Sequence, residues 1–218
     1  MSALRSFARA VSYFTILPVR GATVAPDRGA LGWLPLAGAL VGALTGAAGW
    51  LAWHVAGAPW SFVVPFAVAI VLTGAIHLDG FMDCCDALLA SVEAERRHQI
   101  LKDPRHGTFA IAGALVLAAI WLAALSRFPY GHGAWQSVAL FAAAGFASRC
   151  GAVCNLDPAR RPAYAPVPAV LLAPVTGTGW LIKRWATRRL DGAESGDVYG
   201  AIVIVLEVGL LVAISAFG

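Results

Sequence analysis

The sequence predicts an all-α protein: a polytopic transmembrane helical bundle with five full spans, a re-entrant hairpin and an N-terminal interfacial helix. Three observations predict it. Hydrophobic residues make up 59% of the 218 and charged residues only 13%, with a mean hydropathy of +0.73. Soluble domains carry about a quarter charged residues and less than half apolar ones. The apolar excess falls in runs of about 20 residues, the length that crosses a bilayer, and the charges collect in short stretches between the runs. At this length a single integral membrane domain over residues 1–218 is expected rather than two domains.

Each element follows in order. Residues 1–20 hold Arg5 and Arg9 beside Phe7, Ala10, Val11 and Phe14 at helical spacing, which reads as an amphipathic interfacial helix. A signal peptide would need a longer apolar core and a small-residue cleavage site. Leu31–Trp53 is the first span, its many glycines and alanines suited to close helix packing. Trp60–Leu78 is the second, followed by a long polar stretch, Asp79–His106. Gly107–Ser126 is the third and Trp135–Cys154 the fourth, with Arg149 inside it. Ala165–Ile182 is apolar but interrupted by Pro166, Pro168, Pro174, Gly177 and Gly179, which suggests the re-entrant hairpin. Tyr199–Phe217 is the last span and carries Glu207. No internal repeat or low-complexity linker is visible.

The net charge of +4 and pI near 9.1 do not point to nucleic acid, because the basic residues occupy short loops. They follow the positive-inside bias instead. Arg5, Arg9, Arg20 and Arg28 precede span one, Arg96, Arg97, Lys102 and Arg105 follow span two, and Arg160 and Arg161 follow span four. Alternating spans put all three groups on one side, which the rule makes cytoplasmic. Lys183, Arg184, Arg188 and Arg189 join them only if 165–182 enters and returns, so both its ends are expected on that side. The cysteines, Cys84, Cys85, Cys150 and Cys154, read as small buried apolar residues. A zinc site from His77, Cys84, Cys85 and His98 matches no usual ligand spacing.

The chemistry concentrates in three places. The first is His77-Leu-Asp-Gly-Phe-Met-Asp-Cys-Cys-Asp86. At about 100° per helical residue, Asp83 lies near +40° and Asp86 near −20° from Asp79, so all three share a face. Clustered carboxylates repel unless protons or a cation neutralise them, and oxygen donors suit Mg²⁺ or Mn²⁺. A solvated helix end is the plainer reading, but such an end rarely gathers three acids with no lysine or arginine between them. The second is Lys102-Asp-Pro-Arg105-His-Gly-Thr108 at the start of span three, where basic groups and exposed N–H groups suit phosphate. The third is Arg188 to Asp197, where Asp197 adds a carboxylate and Ser195 or Asp197 caps the last span. Arg149 and Glu207 are charges inside spans, either functional or paired with each other.

At these residues the sequence resembles the cobalamin synthase family, the adenosylcobinamide-GDP ribazoletransferases. Tyr13-Phe-Thr-Ile-Leu-Pro-Val19 stands for that family's Phe-Leu-Thr-x-Leu-Pro-Val element, and His77 to Asp86 for its His-Leu-Asp-Gly-Leu-x-Asp-x-x-Asp-Gly motif. Leu101-Lys102-Asp103 through Gly107 and Phe109 matches Met-Lys-Asp-x-x-x-Gly-x-Phe-Gly. Arg188-Arg189 through Gly196-Asp197 and Gly200-Ala201 matches the late Arg-Arg-x-Gly-Gly-x-Thr-Gly-Asp-x-x-Gly-Ala element, and Glu207 falls where a glutamate is usual. Departures are Ala87 and Ala110 for Gly, Ser195 for Thr, Asp191 within the Gly-Gly element, Ile204 for a polar residue, and a short region from about 161 to 183.

The resemblance implies the last steps of adenosylcobalamin biosynthesis. A ribose hydroxyl of α-ribazole, or of its 5′-phosphate, attacks the cobinamide phosphate of adenosylcobinamide-GDP, and GMP leaves. It implies Asp79, Asp83 and Asp86 as catalytic and Mg²⁺-holding residues, with Mn²⁺ as a substitute. His77, Lys102, Asp103, Arg105, Arg149 and Asp197 are the implied substrate and phosphate ligands. The expected setting is a bacterial cytoplasmic (inner) membrane with the site facing the cytoplasm. The partners are the lipid bilayer and the two substrates, with no nucleic acid and homo-oligomerisation left open. The alternatives are another Mg²⁺-dependent membrane phosphotransferase of the CDP-alcohol type, which leaves the Lys102-Asp103 and Gly196-Asp197 elements unexplained, and a small-solute transporter, which would set its acids at mid-membrane.

Overall fold

The computed structural model describes residues 3–19, 28–156 and 169–217. The described chain is helical: α1 (Ala3–Phe14), α2 (Arg28–Leu31), α3 (Leu34–Ala56), α4 (Ala58–Leu72), α5 (Ile76–Leu89), α6 (Ala94–Ile100), α7 (Thr108–Leu125), a 3₁₀ turn at Tyr130–His132, α8 (Ala134–Leu156), α9 (Ala169–Arg189) and α10 (Gly196–Phe217). Among the described residues, α3, α7, α8 and α10 are each long and apolar enough to cross a bilayer. The amphipathic α1 buries Ala10 and Val11 against Ala37 of α3. Cys84, Cys85 and Cys150 are buried, as expected of small apolar residues, and Cys154 is half-buried.

The expected second span is not one helix. The pair α4 and α5 is bent by 89°. The break is a helix C-cap built on Gly74, whose φ is +57°. The Gly74 N–H donates to Val71 and the Ala75 N–H to Ile70, the paired bonds of a Schellman motif. Ala75 is left-handed too, at φ +60°, a conformation that costs an alanine about 1 kcal/mol. The Ile16 N–H, donating to the Leu72 carbonyl at 2.8 Å, ties the chain after α1 to the same corner. At about 1.5 Å per residue, α4 rises only about 22 Å before the corner sends α5 off at nearly a right angle, so the fifth candidate span is a broken pair rather than one straight helix.

Two contacts then place α5. Its Gly80 lies on the first turn of α10, where a methyl group would come within 2.9 Å of the Asp197 carbonyl oxygen. Its other side packs on α7, where a methyl group on Gly113 would meet the Cys85 sulfur at 2.5 Å. The scaffold behind it is the α3–α8 pair. A methyl on Gly38 would overlap the Gly145 carbonyl, one on Gly42 the Phe141 carbonyl, and one on Gly46 would lie 2.6 Å from the Ser137 carbonyl oxygen. This is the close packing that the small residues of the first span anticipated.

The described part of the expected hairpin is not a hairpin. Residues 169–189 form one helix with Pro174 inside it, and residues 165–168 lie outside the described set. Helix α9 packs on the last turns of α8 and on α10. A methyl on Gly151, near the end of α8, would lie 3.0 Å from the Val175 carbonyl oxygen. Lys183 donates to the Asn155 carbonyl at 2.8 Å, and Arg189 donates to the Leu88 carbonyl at 2.6 Å. Arg189 of the late basic group thus reaches the end of α5, and Lys183 the end of α8, from one described helix. Arg160 and Arg161 lie outside the described residues.

Candidate active site on helix α5

Helix α5 presents Asp79 and Asp83 one turn apart. The loop between α6 and α7 brings His106 against both. Its Nε2 stands 3.5 Å from Asp79 Oδ1 and its Nδ1 3.5 Å from Asp83 Oδ1. One ligand atom from each of the three residues falls within 4.8 Å of the others. The Asp79 side chain is 61% exposed and that of Asp83 19%, so the cluster opens to the outside of the bundle rather than its middle. Two carboxylates and an imidazole at this spacing fit a divalent cation by donor type and by distance.

Asp86 is buried and points elsewhere. Its carboxylate accepts the Gly107 N–H and, at 2.9 Å, the Ala110 N–H. Those are orphan donors at the start of α7, whose own N-cap position, Gly107, has no side chain to serve them. A residue on α5 therefore caps α7. A methyl at Gly107 would lie 2.9 Å from Asp86 Oδ1, so a larger residue there pushes the carboxylate back.

The remaining residues divide. Asp197 is in the first turn of α10. Its carboxylate accepts the Ser195 hydroxyl at 2.6 Å, and its N–H donates to Ser195 Oγ at 3.2 Å, so Ser195 caps α10 as expected. His77 is buried, its ring stacked on Phe14 at 6.2 Å. Asp79, Asp197, His77, Tyr13, Phe14 and Tyr199 share the wall of a cavity of about 350 Å³. Lys102 is exposed. Arg105 is engaged by Asp103 through Nε at 2.9 Å and Nη2 at 2.7 Å, and this bidentate contact pulls the Asp103 carboxyl down to about 2.

Arg149 is not with the loop cations. It is buried in α8 and paired with Glu207 of α10, and it also donates to Ser148 Oγ at 3.0 Å. The structural pairing that the sequence left open is therefore formed. Basic residues also close α5 at its far end. Arg97, itself buried, donates to the Ala87 carbonyl at 2.8 Å and the Ala90 carbonyl at 2.7 Å, where cations complement a helix C-terminus. Beyond it, Lys183 bridges to Glu194 at 2.7 Å, and Tyr199 donates to the same carboxylate at 2.6 Å. Those two donors hold the Glu194 carboxyl below its ordinary range.

His106 is the site residue to which sequence reasoning gave no role. The residue was visible in the Lys-Asp-Pro-Arg-His-Gly run, but it reaches the cluster from a loop, and no helical spacing relates it to Asp79.

Fold and site together define a multi-pass α-helical membrane protein with a carboxylate–imidazole cluster at one end of its bundle, beside a basic loop. The family model described as "Cobalamin-5-phosphate synthase" matches residues 6–164, and the chain belongs to that family. It is 34% identical over 163 residues to an adenosylcobinamide-GDP ribazoletransferase of Deinococcus radiodurans, covering 64% of this chain and 58% of the relative. It is 31% identical over 233 residues to the Roseiflexus protein of that name, covering 91% and 85%. Against that of Ralstonia nicotianae it is 33% identical over 257 residues, covering 97% and 96%. No solved structure matches the chain.

Proposed function

We propose that the protein is an adenosylcobinamide-GDP ribazoletransferase acting at the last steps of adenosylcobalamin biosynthesis. Family membership supports the reaction class. The single observation that carries the site is the meeting of Asp79, Asp83 and His106 within 4.8 Å at the bundle end. In the proposed reaction a ribose hydroxyl of α-ribazole, or of its 5′-phosphate, forms a new bond to the cobinamide phosphorus. The pyrophosphate P–O bond breaks, GMP leaves with the bridging oxygen, and the hydroxyl proton passes to a carboxylate. Such displacements depend largely on positioning and charge neutralisation.

Asp79 and Asp83 are the proposed holders of Mg²⁺ or Mn²⁺, which when bound neutralises phosphate oxygens. Asp79, the more exposed of the two, is placed to meet substrate. Asp86 contributes by fixing the start of α7 and with it the loop of Lys102, Arg105 and His106. Lys102 is exposed in that loop and available to phosphate. Arg105 reaches phosphate by exchanging its Asp103 partner for one. Asp197 and His77 border the cavity beside Asp79, in keeping with substrate contact. Arg149, paired with Glu207, holds α8 to α10 behind the site.

The proposed setting is a bacterial cytoplasmic membrane with this end facing the cytoplasm. Basic residues of α6, the following loop and α9 gather at that end, as the positive-inside rule asks. The test is direct. Purified protein receives adenosylcobinamide-GDP, α-ribazole and Mg²⁺, and GMP release is followed; release dependent on both organic substrates is expected. No GMP, under conditions where the Ralstonia relative turns over, overturns the assignment.

A further inference from the structure

We propose that His106 supplies a nitrogen ligand to the divalent cation held by Asp79 and Asp83, in the place that Asp86 would fill in an all-carboxylate set. The proposal rests on the reading above that this cluster holds a cation. Three observations carry it beyond that reading.

The first is distance. Donor atoms on a shared cation at about 2.1 Å stand about 3.0–3.4 Å apart in octahedral or tetrahedral geometry. Each ring nitrogen stands 3.5 Å from one carboxylate oxygen, and a single imidazole nitrogen lies within 4.8 Å of an oxygen of both acids, so side-chain adjustment brings that one nitrogen and the two acids to a shared cation. The second is orientation. The ring lies between the two acids with a different nitrogen toward each. A neutral imidazole has one lone pair and one N–H. One nitrogen meets the cation while the other N–H donates to a carboxylate oxygen, the arrangement that steadies most metal-bound histidines. The third is the fate of the third acid. Both Asp86 oxygens are engaged by N–H groups of Gly107 and Ala110, and that capping contact sets His106 one residue before the start of the cap.

The consequence is a change of preference. Imidazole suits zinc and other late first-row metals, whereas carboxylate and water suit Mg²⁺ and also Mn²⁺. An imidazole ligand in this chain therefore favours Zn²⁺ most over Mg²⁺, and Mn²⁺ over Mg²⁺ to a lesser degree.

The full chain in detergent is titrated with Mn²⁺ and followed by electron paramagnetic resonance, with pulsed measurements reading nitrogen coupling to the bound ion. Competition by Zn²⁺ and Mg²⁺ gives their affinities. Bound Mn²⁺ with the coupling of a directly ligated imidazole is expected. His106→Leu removes that coupling and weakens Zn²⁺ at least about tenfold and Mn²⁺ less, with the smallest effect on Mg²⁺. His98→Leu leaves both unchanged, and an unaltered helical circular-dichroism spectrum shows that the variants fold. Mn²⁺ bound without nitrogen coupling, or coupling that survives His106→Leu, overturns the role of His106 and leaves the carboxylate reading standing. No Mn²⁺ bound at all overturns the cation reading and His106 with it. GMP release remains a separate measurement of the transferase assignment.

Discussion

Asp86 and Ala110 are 24 positions apart in sequence, yet the Asp86 carboxylate accepts the Ala110 N–H at 2.9 Å. Helix α5 thereby serves the free donors of α7. A side-chain cap is worth about 0.5–2 kcal/mol, and losing this one leaves buried N–H groups unserved. Asp86→Ala should lower the unfolding midpoint in detergent together with activity, and Asp86→Asn should keep part of both. Thermal unfolding followed by circular dichroism checks the stability half.

Asp83→Asn separates chemistry from packing. Asp83 has no capping role, and its partner is the exposed cluster. GMP release should fall by about a hundredfold or more, the scale seen when a preorganised charge is removed, while the unfolding midpoint stays put. A variant with full activity would sink the cation role of this residue.

Gly107→Ala tests the joint from the other side. The new methyl lies 2.9 Å from Asp86 Oδ1, so the carboxylate must retreat and the cap weakens. The variant should resemble Asp86→Ala in stability, and adding it to Asp86→Ala should cost little more. A double-mutant cycle measures that coupling.

The Arg149–Glu207 pair predicts a different pattern. Removing one member leaves a buried charge, at a cost of about 3–5 kcal/mol, while replacing both with apolar residues of similar size is often neutral. Arg149→Met and Glu207→Gln should each destabilise strongly, and Arg149→Met with Glu207→Leu should recover most of the loss. Activity that returns in the double variant would mark the pair as scaffold. Activity that stays lost while stability returns would restore Arg149 to a direct role on phosphate.

Asp103 predicts a pH dependence. Its hydrogen bonds from Arg105 draw the carboxyl down to about 2, below the ordinary aspartate value of about 3.9. The contact is therefore fully formed above the ordinary value and lost as pH falls through about 2. Carbon-13 carboxyl shifts of labelled aspartate should show this titration, and Arg105→Ala should return its midpoint to near 4.

The spans and the aspartate face were legible because composition and helical spacing report them directly. The wheel placed Asp86 with Asp79 and Asp83, but it ignores rise along the axis. At about 1.5 Å per residue, Asp86 lies about 10 Å from Asp79 along α5, against about 6 Å for Asp83, and a closer claim came from α7. The break at Gly74 was hidden because the largely apolar run from Trp60 continues through it to Leu78, so hydropathy marks no end there. The hairpin expected before Lys183 failed for a related reason. Proline and glycine were counted as breakers, yet Gly179 sits against Asn155 of α8, where a small residue serves packing, and Pro174 is accommodated within α9.

The glycine seam between α3 and α8 has a consequence for biosynthesis. Gly38 and Gly145 touch, but about a hundred residues separate them. At roughly 5–20 residues per second of translation, α3 waits roughly 5–20 s in the membrane before its partner leaves the ribosome. During that interval its bare glycine stripe faces lipid or the insertion machinery. The α3–α8 seam thus closes late, and α10, on which α5 rests through Gly80, leaves the ribosome later still.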